Sequence, residues 1–399
     1  MAGRFATNIE FMIAARVAQG IGMAMFPIAF GIIREVLPEK KPAIGQTIFS
    51  STFSGGAVVG LVGGAAIIQN FGWQATFLAI LPVTIALWLK IVKFVRIKSP
   101  TYTEQEIASS NVNASNDQTI DIKGTVALAA TIITFLAGIS FLEDINGGDT
   151  TSGVYQVAGL FAASAVSLAT FIAIEKRVHS PLLDFKIMTS KSFLLPTIIL
   201  MLAFMSIFMV YLTVPVMVRS PEPFGFGGSA IEVVTVQLPF MIVLLVGTIT
   251  LGFILNRVKN TKLMLVGTAI STIGFFVLLI FHCTEDMVAI GLTILSAGLA
   301  LSISGGFNVM LLSVPMQVTG IELGMTLLLN LVGISLGPAL SGAFQEMYKE
   351  AAPGVAGIFP TDRAYSLIFL TSALVSLASV VLALSVSRIR IRTETIMSN

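Results

Sequence analysis

The chain has 399 residues, 55% hydrophobic and 11% charged, against roughly a quarter charged in an average soluble domain, so its apolar surface is too large for one soluble core. A single cysteine, Cys283, excludes disulfide frameworks and multi-Cys zinc sites, and two histidines leave little for His-based metal chemistry, so neither cofactor nor metal is expected. A balance of 23 basic against 21 acidic residues supplies no concentrated basic face for nucleic acid, and the first partner implied is the lipid bilayer.

A window of about 20 apolar residues crosses the ~30 Å hydrocarbon core of a bilayer. Eleven such windows occur, near residues 11–33, 43–69, 73–95, 123–142, 153–174, 192–215, 230–254, 263–281, 286–307, 320–344 and 364–387. Lipid offers the backbone no hydrogen-bond partner and period-2 alternation is absent, so each window is expected to be a helix. The expected fold class is all-α, a polytopic helical bundle. Threading the windows back and forth collects 18 of the 23 Lys and Arg on one side, among them Arg34, Lys90, Lys93, Arg96, Lys191, Lys259 and Arg388. By the positive-inside rule that side is cytoplasmic. The C-terminus is then inside, the N-terminus and the acidic loop 143–149 are outside, and a multi-pass protein of the plasma membrane is expected.

The first window is interrupted by Arg16, within the run IAARVAQGIG of residues 13–22. A guanidinium at membrane depth costs roughly 2.5–3.5 kcal/mol on insertion scales, so it should face protein or a water-filled cavity. Gln19 and Gly20 follow one turn along, and Gly20 and Gly22 open a surface where another backbone can approach closely. As a structural residue Arg16 would cap carbonyls or pair with a neighbouring helix. The window starts outside without the short apolar region and cleavage pattern of a signal peptide.

The second window carries Gly56, Gly60, Gly63 and Gly64. Glycine inside a helix costs about 1 kcal/mol relative to alanine, so the cluster implies close helix packing. Residues 97–121 are rich in Ser, Asn and Thr and read as a cytoplasmic linker. It separates three helices (1–96) from a helix pair (122–175) and six further helices (176–399). An offset of 277 residues aligns Pro38 with Pro315, Gly56 with Gly333, Gly60 with Gly337 and Gly64 with Ser341 without a gap. Parallel pseudo-repeats of this kind build the halves of rocking transporters, with substrate bound between them. In the C-terminal copy Pro338 directly follows Gly337.

Polar groups inside the later windows are few. Tyr211, Gln237, Asn308 and Asn330 are cavity candidates, and each can equally serve as an interhelical hydrogen bond alone. Glu232 lies in the first turn of a helix entered from outside and is a candidate for protonation coupling; Glu322 lies near another helix end. His179 and His282 fall beside membrane edges and are expected to be solvated.

Ile13, Arg16, Gln19, Gly20 and Gly22 together resemble the fourth-helix motif of the major facilitator superfamily. The resemblance implies that Arg16 joins a proton or substrate relay at the cavity. Gly56, Gly60, Gly63 and Gly64 resemble that superfamily's antiporter motif, G-x-x-x-G-P-x-G-G, with Leu61 where the family has proline. The pair 122–175, followed by Glu175, Arg177, Pro181, Leu182 and Leu183, is similar to the fourteen-helix drug:proton antiporter branch. Gly252, Asn256, Arg257 and Lys262 look like a degenerate copy of the family's basic loop, with Asn256 in place of aspartate. On this resemblance the first window corresponds to the family's fourth helix. Three further helices are then expected upstream of Met1, with an acidic residue in the first and a Gly-rich basic loop after the second.

No GxxxxGK[ST] phosphate loop and no HExxH occurs, so neither an ATP-driven motor domain nor a metalloprotease is expected. Catalysis is not expected. The remaining expectation is a secondary active transporter, a proton-coupled exporter of amphipathic organic compounds working by alternating access, with small organic substrates and protons as partners. The alternative in another class is a non-transporting membrane fragment or regulatory membrane subunit; an embedded transferase would need an intramembrane carboxylate pair, and none is visible.

Overall fold

A computed structural model of the chain describes residues 8–23, 25, 29, 42–94, 121–141, 150–177, 190–254, 258–313 and 319–397. Eleven helices are found among them: α1 (Ile9–Met23), α2 (Pro42–Phe71), α3 (Gln74–Phe94), α4 (Ile122–Ser140), α5 (Thr150–Glu175), α6 (Lys191–Arg219), α7 (Ala230–Ile254), α8 (Asn260–Ile280), α9 (Glu285–Ser313), α10 (Thr319–Met347) and α11 (Asp362–Met397). Ten of these, all but α1, are long and apolar enough to cross a membrane. The bundle is all-α across its spans, as lipid requires of any segment that must satisfy its own backbone. Linker residues 97–120, the acidic loop 143–149, His179, Pro181, Leu182, Leu183, Asn256 and Arg257 lie outside the described residues.

The end of the last helix and the connection before it depart from expectation for physical reasons. The last helix runs on to Met397, past the window ending at 387, because Arg388, Arg390 and Arg392 continue a helix whose hydrocarbon-depth part has already ended. Between α10 and α11 two three-residue strands, β1 (Lys349–Ala351) and β2 (Ile358–Pro360), pair antiparallel with Glu350 opposite Phe359. Such strands are too short for a periodicity signal. Their connection turns through Gly354 and Gly357, whose φ values of 78° and 136° suit glycine alone.

The six helices α6–α11 form one packed body. In α6, 56% of the span is buried, whereas none of the α3 span is. One large cluster unites Val210, Val214, Phe240, Leu244, Phe275, Leu292, Leu295 and Phe369, drawn from α6, α7, α8, α9 and α11. Glycines set the closest approaches. A Cβ at Gly267 would lie 2.5 Å from Ser302 N, one at Gly298 2.4 Å from Ser271 N, and one at Gly305 2.6 Å from Met264 N, so α8 and α9 touch backbone to backbone along their length. This is how helices without a hydrophobic drive between them gain dispersion contact in lipid.

The inserted pair α4–α5 is a hairpin of its own. Ser164 Oγ donates to Thr131 O at 3.0 Å and Ser167 Oγ to Ala127 O at 2.9 Å, while Phe135 and Phe161 meet edge to face at 5.8 Å. The hairpin seats on α10 through Phe171 and Met325, with Ala127, Leu128, Ile172 and Leu329 around them. On another side α2 packs on α7, and Ala57, Val58 and Leu61 join the large cluster.

Candidate functional site

In α1, Arg16 Nη1 donates to Gln19 Oε1 at 3.0 Å, and the guanidinium carbon lies 5.9 Å from the centroid of Phe77 on α3. The helical spacing of three residues brings the pair together, and the aromatic face offers a cation–π contact at the limit of its range. Both side chains are exposed, and Gly20 and Gly22 have no neighbouring atom within 4 Å of a built Cβ among the described residues. Among the described residues Arg16 therefore presents donors beyond the one held by Gln19.

The glycine motifs of α2 and α10 behave differently despite their matched spacing. The 277-residue offset carries Pro42, the first residue of α2, onto Thr319, the first of α10. In α10 a Cβ at Gly333 would lie 2.3 Å from Met201 O and one at Gly337 2.3 Å from Met205 O, so this face presses on the α6 backbone. Pro338 sits within α10, and its carbonyl accepts from Ser341 Oγ at 2.9 Å. In α2, Gly56, Gly60, Gly63 and Gly64 have no neighbour within 4 Å among the described residues. The α7 contact is made by Ala57, Val58 and Leu61, the last standing where the antiporter motif has proline.

The cavity candidates separate into different surroundings. Gln237 on α7 is buried and donates through Nε2 to Tyr211 O on α6 at 2.7 Å. The half-buried Tyr211 ring lies 5.2 Å from that of Phe240. Asn308 donates to Ser304 O on its own helix at 3.1 Å. Asn330 is 2% exposed, and neither its Oδ1 nor its Nδ2 has a hydrogen-bond partner among the described residues. It stands on the face of α10 that continues to Gly333 and Gly337. One turn earlier, Thr326 donates to Met310 Sδ at 3.3 Å, and Thr197 of α6 reaches the same sulfur at 3.2 Å. An unsatisfied buried amide costs on the order of 1–3 kcal/mol, which marks Asn330 as the polar group in this seam that wants a partner.

Glu232 is exposed, and its carboxylate accepts from the backbone N–H of Ser229, while Ser229 Oγ accepts from Glu232 N at 3.4 Å. That is a reciprocal capping box at the start of α7. The side chain of Glu322 is outside the described residues. His282, expected to be solvated, is instead buried at 6% exposure. The chain brings Asp362 against it from 80 positions away, a proximity no local pattern could reveal. Gln345 was also not anticipated; from the last turns of α10 its Nε2 reaches Thr213 Oγ1 of α6 at 3.3 Å.

A bundle of membrane-length helices, with buried polar side chains in several interhelical seams, has the make-up of a secondary transporter. The chain belongs to the Major Facilitator Superfamily, whose sequence model matches residues 1–338. It is 26% identical over 313 residues to "Multidrug resistance protein 3" of Bacillus subtilis, covering 77% of this chain and 55% of that protein. It is 24% identical over 274 residues to "Multidrug transporter protein MdtP" of the same species, covering 68% and 47%. With "Multidrug efflux pump LfrA" of Mycolicibacterium smegmatis it shares 23% identity over 364 residues, covering 89% and 67%. The chain spans about half the length of the first two relatives.

Proposed function

We propose that the chain forms part of a proton-coupled exporter of amphipathic organic compounds in the plasma membrane, working by alternating access with its C-terminus in the cytoplasm. The observation that carries the reading is the Arg16–Gln19 pair. A guanidinium in a sequence window long enough to reach membrane depth, with donors that no described residue holds, is retained where an anionic or titrating group must be met. The names of the relatives, a resistance protein, a transporter and an efflux pump, support organic export. The packed α6–α11 body supplies one rigid wall, and α2 against α7 supplies the contact about which two walls could rock.

In this reading a proton entering from outside and a substrate entering from the cytoplasm compete for the interaction with Arg16, so that only a loaded transporter reorients. Asn330, whose amide has both donor and acceptor open among the described residues, is the candidate hydrogen-bonding contact for substrate or an ordered water in the C-terminal wall. Glu232 is assigned a cap and not a relay, because its carboxylate is already committed to Ser229.

The test is pH-gradient-driven transport of amphipathic dyes in inverted vesicles carrying the full-length protein. Arg16→Ala is expected to abolish transport while membrane expression persists. Arg16→Lys should recover little, since a point charge cannot replace the planar fork of donors. Undiminished transport by the Ala variant would overturn the assignment.

A further inference from the structure

His282 lies two residues past the end of α8, and Asp362 opens α11. The imidazole is buried, but the Asp362 side chain is 77% accessible. His282 Nδ1 lies 2.9 Å from Leu278 O and 3.2 Å from Leu279 O. Carbonyl oxygens only accept, so Nδ1 carries a hydrogen. A neutral imidazole has no second one, and its Nε2 would then present a lone pair to Asp362 Oδ1 at 2.9 Å. Two lone pairs at that distance repel. A further proton therefore occupies the contact, either on Nε2 facing a carboxylate or on the carboxyl facing a neutral Nε2. Both arrangements hold one proton more than a neutral imidazole beside an ionised carboxylate.

The geometry points to a proton-binding site shared by His282 and Asp362, which clasps the end of α8 to the start of α11 when occupied and releases it when empty. Carbonyls at the α8 C-terminus attract positive charge, and the Phe369 ring lies 5.2 Å away, tilted toward an edge contact. The other ionisable groups on the packed elements are engaged elsewhere or lie along the chain. Tyr365 bonds to Ser220 at 3.2 Å, Arg363 lies over the Tyr348 ring at 4.8 Å, and Lys349 pairs with Glu346. Glu285 and Asp286 open α9, and Cys283 is exposed next to the histidine.

Because the clasped form carries the extra proton, acid favours it and alkali opposes it. Release would be local. About three turns deeper, Thr272 Oγ1 and Ser376 Oγ remain bonded at 2.8 Å, and the Ser220–Tyr365 contact still ties α6 to α11. The site thus senses pH at its own membrane face, the one poor in Lys and Arg, and its chemistry does not depend on the transport reading.

The single cysteine is a built-in reporter. A spin label on Cys283 of the otherwise native full-length protein in lipid nanodiscs is expected to be immobilised at acid pH and to lose that immobilised component as pH rises. Asp362→Asn should stay immobilised throughout, because its amide N–H donates to a neutral Nε2 without an added proton. His282→Phe should be mobile throughout. A label equally mobile at all pH values in the native chain, or an Asp362→Asn variant with the native pH dependence, would overturn the proposal. An unlabelled check uses nitrogen-15 histidine in a His179→Asn protein, where His282 is the sole histidine. At acid pH its Nε2 should be protonated or hydrogen-bonded, and a bare Nε2 resonance there would equally overturn it.

Discussion

At Gly333 an added methyl group would stand 2.3 Å from Met201 O, and at Gly337 the same distance from Met205 O. Backbone cannot swing aside as a side chain can, so alanine must force α10 away from α6. Overpacking of this kind costs about 1–3 kcal/mol, and the helix-propensity gain from alanine, up to about 1 kcal/mol, offsets only part of it. Gly333→Ala and Gly337→Ala are therefore expected to lower the melting temperature in detergent. Gly60→Ala meets nothing within 4 Å among the described residues and should leave it unchanged or slightly higher. Equal losses at Gly60 and Gly337 would show that the two motifs are packed alike. From sequence the two glycine pairs are indistinguishable, because spacing records only that a face is smooth. What that face meets depends on the helix brought alongside.

Among elements, the α4–α5 hairpin depends on a small contact with the rest of the molecule. Phe171 is 3% exposed against Met325, and no other apolar cluster joins the hairpin to α10 among the described residues. Phe→Ala in a water-surrounded core costs about 3–5 kcal/mol; lipid is a milder alternative environment, so about 1–3 kcal/mol is expected for Phe171→Ala. Hydrogen exchange should then rise in the Phe171–Met325 region while the glycine-interlocked α8–α9 pair is unaffected. A uniform rise across all helices would instead mean that the hairpin holds the whole bundle together. The helices themselves were legible in the sequence because bilayer thickness sets their length and lipid forbids unpaired backbone. The β1–β2 ribbon was not, since three-residue strands carry no pattern, and neither was the His282–Asp362 contact, whose partners meet only after α8 and α11 have packed.

For the whole molecule, the distribution of Lys and Arg carries the orientation. Single cysteines at Ser110 and Asp149, in a Cys283→Ala background, test it in intact cells with a membrane-impermeant maleimide. Labelling at 149 and protection at 110 are expected; the reverse pattern would invert the protein and place the His282–Asp362 clasp in the cytoplasm. The superfamily was readable from Arg16, Gln19, Gly20 and Gly22 because an intramembrane charge followed by small residues is rare enough to be specific, and the match over residues 1–338 agrees. Individual site roles were less legible. Gln237 is consumed by a backbone carbonyl, whereas Asn330, chemically its near twin, is left with both amide atoms open among the described residues.

The ribbon between α10 and α11 is the place where the 277-residue register is lost. It is anchored at its base, with Thr361 donating through both N and Oγ1 to Tyr348 O, at 2.8 Å and 3.0 Å. Its far end turns through exposed Gly354 and Gly357, away from every helix seam. An epitope or a small rigid domain spliced between these glycines would inherit that anchorage. It would give an otherwise nearly featureless, lipid-encircled particle a handle by which microscopy could fix its orientation and antibodies could report which side of the membrane it faces.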